Sequence, residues 1–210
     1  MNQSEQQLYH KALRIAQFVV LYNILEGIIS MVSGFHDESL TLFGFGMDSF
    51  IEVGSNLGVI YMIKRIQKNP FSDRTQFEKT ALQITGYGFY ILSFGLLISA
   101  ILSIIENHKP QDTLMGIVIS VLSIGVMYYV ASSQTKTGKT LNSQPIISDA
   151  KCTVVCIYMS IVLLISSFIY QVTGFGYIDA IGAIGLIYFS IKEGKEALEK
   201  SKGNECCDHC

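Results

Sequence analysis

Two pairs of side chains in this sequence have the type and spacing to do chemistry. Asp48 and Glu52 stand four residues apart in "FGMDSFIEVG", and they are the only charged residues between Glu38 and Lys64. On a helix that spacing puts both carboxylates on one face, one turn apart. Cys152 and Cys156 in "SDAKCTVVC" share the spacing, and with Asp149 they follow i, i+3, i+7 along one helical face. Two carboxylates and two thiols form a mixed oxygen and sulfur set suited to a tetrahedral divalent ion such as zinc. Like charges one turn apart repel, and a bound dication stabilises both. Carboxylates and thiolates ligate only when deprotonated, so metal binding at such a set must release protons.

The elements that must position these groups are membrane spans. Hydrophobic residues make up 50% of the 210, only 15% are charged, and mean hydropathy is +0.39, which takes the chain out of the ordinary soluble class. Charge is absent from Lys79 to Glu106, from Asp112 to Lys136 and from Lys151 to Asp179. Each gap accommodates the ~20 apolar residues that cross a bilayer core. Six spans are expected, at 12–33, 40–63, 80–105, 113–131, 146–170 and 176–191. The segments between them, such as "KRIQKNPFSDR", "SSQTKTGKTLNSQP" and "QVTGFG", hold the turn and charge signals. The first span is too long for a cleavable signal peptide, contains Glu26 and lacks a small-residue cleavage site. The expected fold is therefore an all-α polytopic membrane protein: a six-helix transmembrane domain over 1–193 and a short cytoplasmic Cys/His-rich tail over 194–210.

Lys and Arg set the orientation. Of the 15, only Lys109 falls outside the termini, the loops after spans two and four, and the start of span five. Those basic segments belong in the cytoplasm, with both termini inside, in a plasma (inner) membrane. Span two then runs inward and span five outward. A rise of ~1.5 Å per residue brings Asp48, Glu52, Cys152 and Cys156 to the middle third of the membrane. A centre that trades metal for protons at that depth has the chemistry of an antiporter.

Other acids are expensive inside a bilayer unless they face a cavity or a partner. Glu26 suits either a proton path or a helix-packing hydrogen bond. Asp149 can cap span five or support a ligand. Asp179, early in span six, suits a supporting or proton-path role, or the helix dipole. Asp48 and Glu52 could instead be structural, but the only bases inside the spans, Arg14 and Lys151, lie at the cytoplasmic ends. Cys152 and Cys156 could be buried packing residues. Cys206, Cys207, His209 and Cys210 in the tail "NECCDHC" read as metal capture or as an incidental Cys-rich end. Structural disulfides are not expected on the cytoplasmic side, and His10, His36 and His108 read as solvated.

The ordered set of motifs resembles the cation diffusion facilitator (cation efflux) family of metal/proton antiporters across nearly all six spans. "GFGMDSFIEV" is similar to the family's D-S-x-x-D in span two, with Glu52 in the second acid's place. "SDAKCTVVC" aligns with A-D-x-x-H-x-x-x-D through Asp149, with Cys152 for the His and Cys156 for the Asp. "GYIDAIGAIG" matches the aromatic, Asp and small residues of span six through Asp179. "LYNILEG" resembles the Asn-containing opening of span one, which implies a supporting role for Asn23. The Cys pair makes the site softer than the family's usual one. The sequence stops at Cys210, soon after span six, and so resembles a short branch without the C-terminal cytoplasmic domain.

The resemblance implies efflux of a divalent metal, zinc favoured, in exchange for protons. No resident cofactor, enzymatic activity or nucleic-acid partner is expected. The partners are metal ions, protons and lipid, with a homodimer through the transmembrane helices as an open option. The competing readings are a metal-binding sensor or scaffold without transport, and a membrane thiol oxidoreductase. The oxidoreductase reading has C-x-x-x-C in place of C-x-x-C and leaves Asp48 and Glu52 unexplained.

Overall fold

A backbone in lipid finds no water to bond, so each apolar run must satisfy its own amides by forming a helix. The computed structural model describes residues 3–37, 39–69, 76–106, 114–175 and 177–202. The side chains of some residues within its helices, Cys152 among them, lie outside the described set. Six helices follow in order: α1 (Gln3–His36), α2 (Leu40–Lys68), α3 (Gln76–Glu106), α4 (Leu114–Thr140), α5 (Gln144–Thr173) and α6 (Tyr177–Ser201). The shortest has 25 residues. At ~1.5 Å per residue every one exceeds the ~30 Å of a bilayer core.

Every helix runs past its expected span at one end or both, and at the C-terminal ends of α4 and α6 the extra turns are packed. α4 continues past 131 to Thr140 because Met127, Val130, Gln134, Thr137 and Gly138 extend one buried stripe at three- and four-residue intervals. The polar run that reads as a loop is thus the inner end of a packed helix. It ends at Asn142, whose φ of 49° lies in the left-handed region that Asn tolerates, and the Ser143 amide donates to the Gly138 carbonyl at 2.9 Å. Similarly, residues 194–201, expected in the tail, are helical: Ser190, Gly194, Ala197 and Ser201 continue the buried face of α6.

Among the described residues α1, α3, α4 and α5 are each long and apolar enough to cross a membrane unaided. The remaining two carry Asp48, Glu52 and Asn56 in α2, and Asp179 with the charged run from Lys192 in α6. These polar residues lower the hydropathy of helices that must be held in the bilayer by their neighbours. The result is an all-α polytopic membrane protein.

The helices pack mainly as pairs: α1 on α2, α3 on α6, and α4 on α5. Large apolar side chains such as Leu21, Leu25, Ile91, Phe94, Phe168 and Ile184 are exposed, while Asn23, Ser30, Thr41, Ser123 and Ser160 are fully buried. Lipid is as apolar as leucine, so association depends on close approach and interhelical hydrogen bonds. The α1–α2 crossing shows this. A Cβ on Gly46 would fall 2.7 Å from the Met31 amide nitrogen, and one on Gly27 2.8 Å from the Phe50 ring. Only glycine at these two positions lets the backbones meet.

One apolar cluster, built from Leu42, Phe45, Leu92, Leu96, Met159, Leu163 and Leu186 among others, fills the half of the bundle nearest the start of α2. A smaller one around Ala12, Met62, Ile63 and Ile146 lies at the opposite end. The acids of α2 fall between the two.

Candidate metal centre

α1 presents Ala16, Val19, Asn23, Glu26 and Ser30 along one buried stripe, changing from apolar to polar at the level where α2 brings Asp48, Ser49 and Glu52. The close glycine contact makes these two faces meet. Asn23 Nδ2 donates to Glu52 Oε2 at 2.9 Å. The Cys156 thiol of α5 donates to the other oxygen, Glu52 Oε1. Glu52 therefore joins three helices, and Asn56 one turn on donates to its backbone carbonyl at 3.0 Å.

Asp48 is 2% exposed, and its Oδ1 is buried with no hydrogen-bond partner. It lies within electrostatic reach of Glu52 and of Cys156. The Asn23 Oδ1 is also buried and unpartnered. Buried polar atoms are nearly always satisfied, and here two orphaned oxygens lie beside a thiol–carboxylate pair. Among the described residues no three His, Cys, Asp or Glu side chains already converge as a finished metal cage. Asp48, Glu52 and Cys156 are neighbours within electrostatic reach of one another. The side chain of Cys152, the fourth expected ligand, is outside the described residues.

The supporting residues separate into distinct places. Glu26 is held beside the centre by the Tyr22 hydroxyl at 2.9 Å and the Ser49 hydroxyl at 3.2 Å. Asp149 lies seven residues, two turns, before Cys156 on α5, where Gln134 Nε2 of α4 donates to Oδ2 at 2.7 Å. Thr153 in turn donates to Gln134 Oε1 at 2.9 Å, which fixes α4 against α5. Asp179 is remote from the centre. Its carboxylate accepts from Ser39 Oγ at 2.8 Å and from the Leu40 and Thr41 amides at 2.6 and 3.3 Å, and its carbonyl from Thr41 Oγ1 at 2.7 Å. It thus caps α2 from α6, satisfying backbone donors that a helix start leaves without partners. The tail residues Cys206, Cys207, His209 and Cys210 lie outside the described residues.

Sequence reasoning passed over several participants. Tyr22 and Ser49 could have been found from their helical spacing and adjacency to Glu26 and Asp48. Gln134 gave no signal, because its segment reads as a loop. Glu193 was missed as well: it follows the sixth span in "KEGKE", yet one of its oxygens is buried without a partner.

A cavity of about 40 Å³ opens beside the centre, with Glu52 and Cys156 at one end and Asp149, Glu193 and Lys200 at the other. The apolar cluster of Leu42, Phe45, Met159 and Leu163 lies on the opposite side. The centre is therefore closed towards the start of α2 and approached from the end of α2 by a cleft lined by both apolar and acidic side chains. A family model described as the cation efflux transmembrane domain matches residues 16–202, which takes in most of α1 and all of α2 to α6. No curated protein matches the sequence. A buried acid pair on the second helix, met by a ligand-type side chain from the fifth, fits that match, and the chain belongs to the cation efflux family of membrane transporters.

Proposed function

We propose that the protein exports a divalent cation, zinc favoured, from the cytoplasm across the plasma membrane in exchange for protons. Asp48, Glu52, Cys152 and Cys156 hold the ion. The observation that carries this reading is the Cys156 thiol donating to Glu52 beside an Asp48 oxygen that has no partner. A thiol hydrogen bond to a carboxylate places a proton where a metal bound by both groups would stand. Ligation by the thiolate forms a sulfur–metal bond and releases that proton, so cation and proton compete for one place. Glu26, held by Tyr22 and Ser49, is the nearby carboxylate for the departing proton.

All the proposed ligands come from one chain, so each copy of a homodimer would carry its own centre. The tail Cys206, Cys207, His209 and Cys210 would capture metal before it enters. Softness sets the choice of ion: thiolates favour zinc and cadmium, whereas carboxylates suit manganese and magnesium.

The test is uptake of zinc, cadmium, manganese, cobalt and iron into liposomes holding the purified protein, with and without a pH gradient. Zinc and cadmium are expected to move fastest, and faster with the gradient than without it. Exchanging Cys152 for His and Cys156 for Asp lowers the cadmium-to-zinc ratio, and removing residues 204–210 leaves it unchanged. If the ratio follows the tail and ignores Cys152 and Cys156, the two thiols are packing residues. Metal binding with no flux for any ion would support the sensor reading instead.

A further inference from the structure

The cavity beside Glu52 and Cys156 has a second end that the proposed exchange does not use. It is lined there by Asp149 of α5 and by Glu193 and Lys200 of α6. The Lys/Arg bias makes this the cytoplasmic end. Its volume of about 40 Å³ holds a water or two, or a partly hydrated ion.

α6 brings unusual polar groups to this level. Thr41 and Asp179 are bonded at the starts of α2 and α6, which run in the same direction. Ser190 and Glu52 lie equally far along their helices from that bond, and Glu193 follows one turn nearer the cytoplasm. Ser190 is fully buried with its hydroxyl unpartnered, and Glu193 Oε1 is buried and unpartnered too. Glu193 acts electrostatically on Asp48, Glu52 and Cys156. A carboxylate oxygen left without a donor in a cleft leading to an ion centre is free to take a cation.

Lys200 is the one basic residue lining the cavity among the described residues; Glu196 holds it at 3.3 Å, and it also acts electrostatically on Asp149 and Glu193, so an arriving cation must compete with it. Asp149 already accepts from Gln134, so Glu193 has the more available oxygen. The remaining charged neighbour, Lys192, lies on the same helix one residue away.

We propose that Glu193, with Asp149 across the cavity, forms a cytoplasmic entry subsite for the divalent cation, one step before the Asp48, Glu52 and Cys156 centre. The subsite rests on the export reading above. It concentrates the ion at the cleft and hands it inward, so its loss weakens capture from one side and leaves the central exchange intact.

The experiment uses the full chain in sealed vesicles of each orientation, with zinc as the probe and rates taken per folded molecule. Glu193→Gln is expected to raise KM for zinc at the cytoplasmic face about fivefold to tenfold, the scale of losing one charge from a partly hydrated site. Its maximal rate and its KM at the outer face stay within about twofold of the parent. Glu193→Asp, which keeps the charge, retains most of the parent's cytoplasmic KM. An unchanged cytoplasmic KM in Glu193→Gln overturns the subsite, and so does an equal rise at both faces. A fall in maximal rate alone, shared by Gln and Asp, assigns Glu193 to packing. Glu52→Gln in the same vesicles separates the two proposals: it abolishes flux if the central reading holds, and normal flux there defeats that reading whatever Glu193 does.

Discussion

The start and the middle of α2 treat a buried acid in opposite ways. At its start, Asp179 from α6 is 5% exposed and every bond its carboxylate accepts goes to the first residues of α2. Near its middle, Asp48 is 2% exposed with an oxygen that bonds to nothing, next to a Glu52 whose partners are an amide and a thiol. Both acids would be costly in lipid. The first is retained because it completes a helix terminus and locks α6 to α2 beneath an apolar cluster. The second completes no helix terminus and leaves an oxygen unsatisfied, and the proposed ion centre gives it a use.

The comparison can be broken by exchanging the costs. Asp48→Asn removes a ligand charge but no volume, and is expected to lower zinc flux about 100-fold or more. Its folded stability in detergent should equal or exceed that of the parent, because an unsatisfied buried carboxylate has been removed. Asp179→Ala should do the reverse. Leaving the Ser39 hydroxyl and two amides without acceptors costs about 2–4 kcal/mol, read as a fall in melting temperature, while flux per folded molecule is largely kept. If Asp179→Ala abolished flux without loss of stability, the outer acid would be part of the transport path and the contrast would fail.

Smaller effects sharpen the picture within the inner half. Gln134→Ala breaks the link from α4 to Asp149 and Thr153, and should cost about 1–2 kcal/mol of stability by thermal melting. Tyr22→Phe takes away one of the donors to Glu26. The expected change is the least of the set, about 0.5–1.5 kcal/mol, seen as a few-fold slower exchange with metal affinity unaltered. A Tyr22→Phe protein that lost metal binding outright would move Glu26 from the proton side of the account to the ligand side.

Much of this was legible in the sequence, for physical reasons. Long charge-free runs leave a helix little alternative in lipid, so the six elements and their order followed directly. Asp48 and Glu52 stood out because their background is apolar. The same contrast failed at Glu193, since among the charges of "KEGKE" one more acid is unremarkable until its burial is known. The inner end of α4 was hidden for a related reason: Gln134, Thr137 and Gly138 look like a loop, although in a helix they form one polar stripe against α5. The cap from Asp179 to Ser39 joins residues 140 positions apart. No local pattern encodes that pairing; it is set when α6 packs beside α2.

The most direct test of the exchange at Asp48, Glu52 and Cys156 follows zinc and protons together. Liposomes holding the purified chain, with a pH-sensitive dye inside, receive a pulse of zinc outside. Zinc entry is expected to be accompanied by loss of internal protons, and both signals are expected to vanish together in Asp48→Asn and Glu52→Gln. Zinc entry with no change in internal pH, or coupled fluxes of normal size in Asp48→Asn, would contradict it.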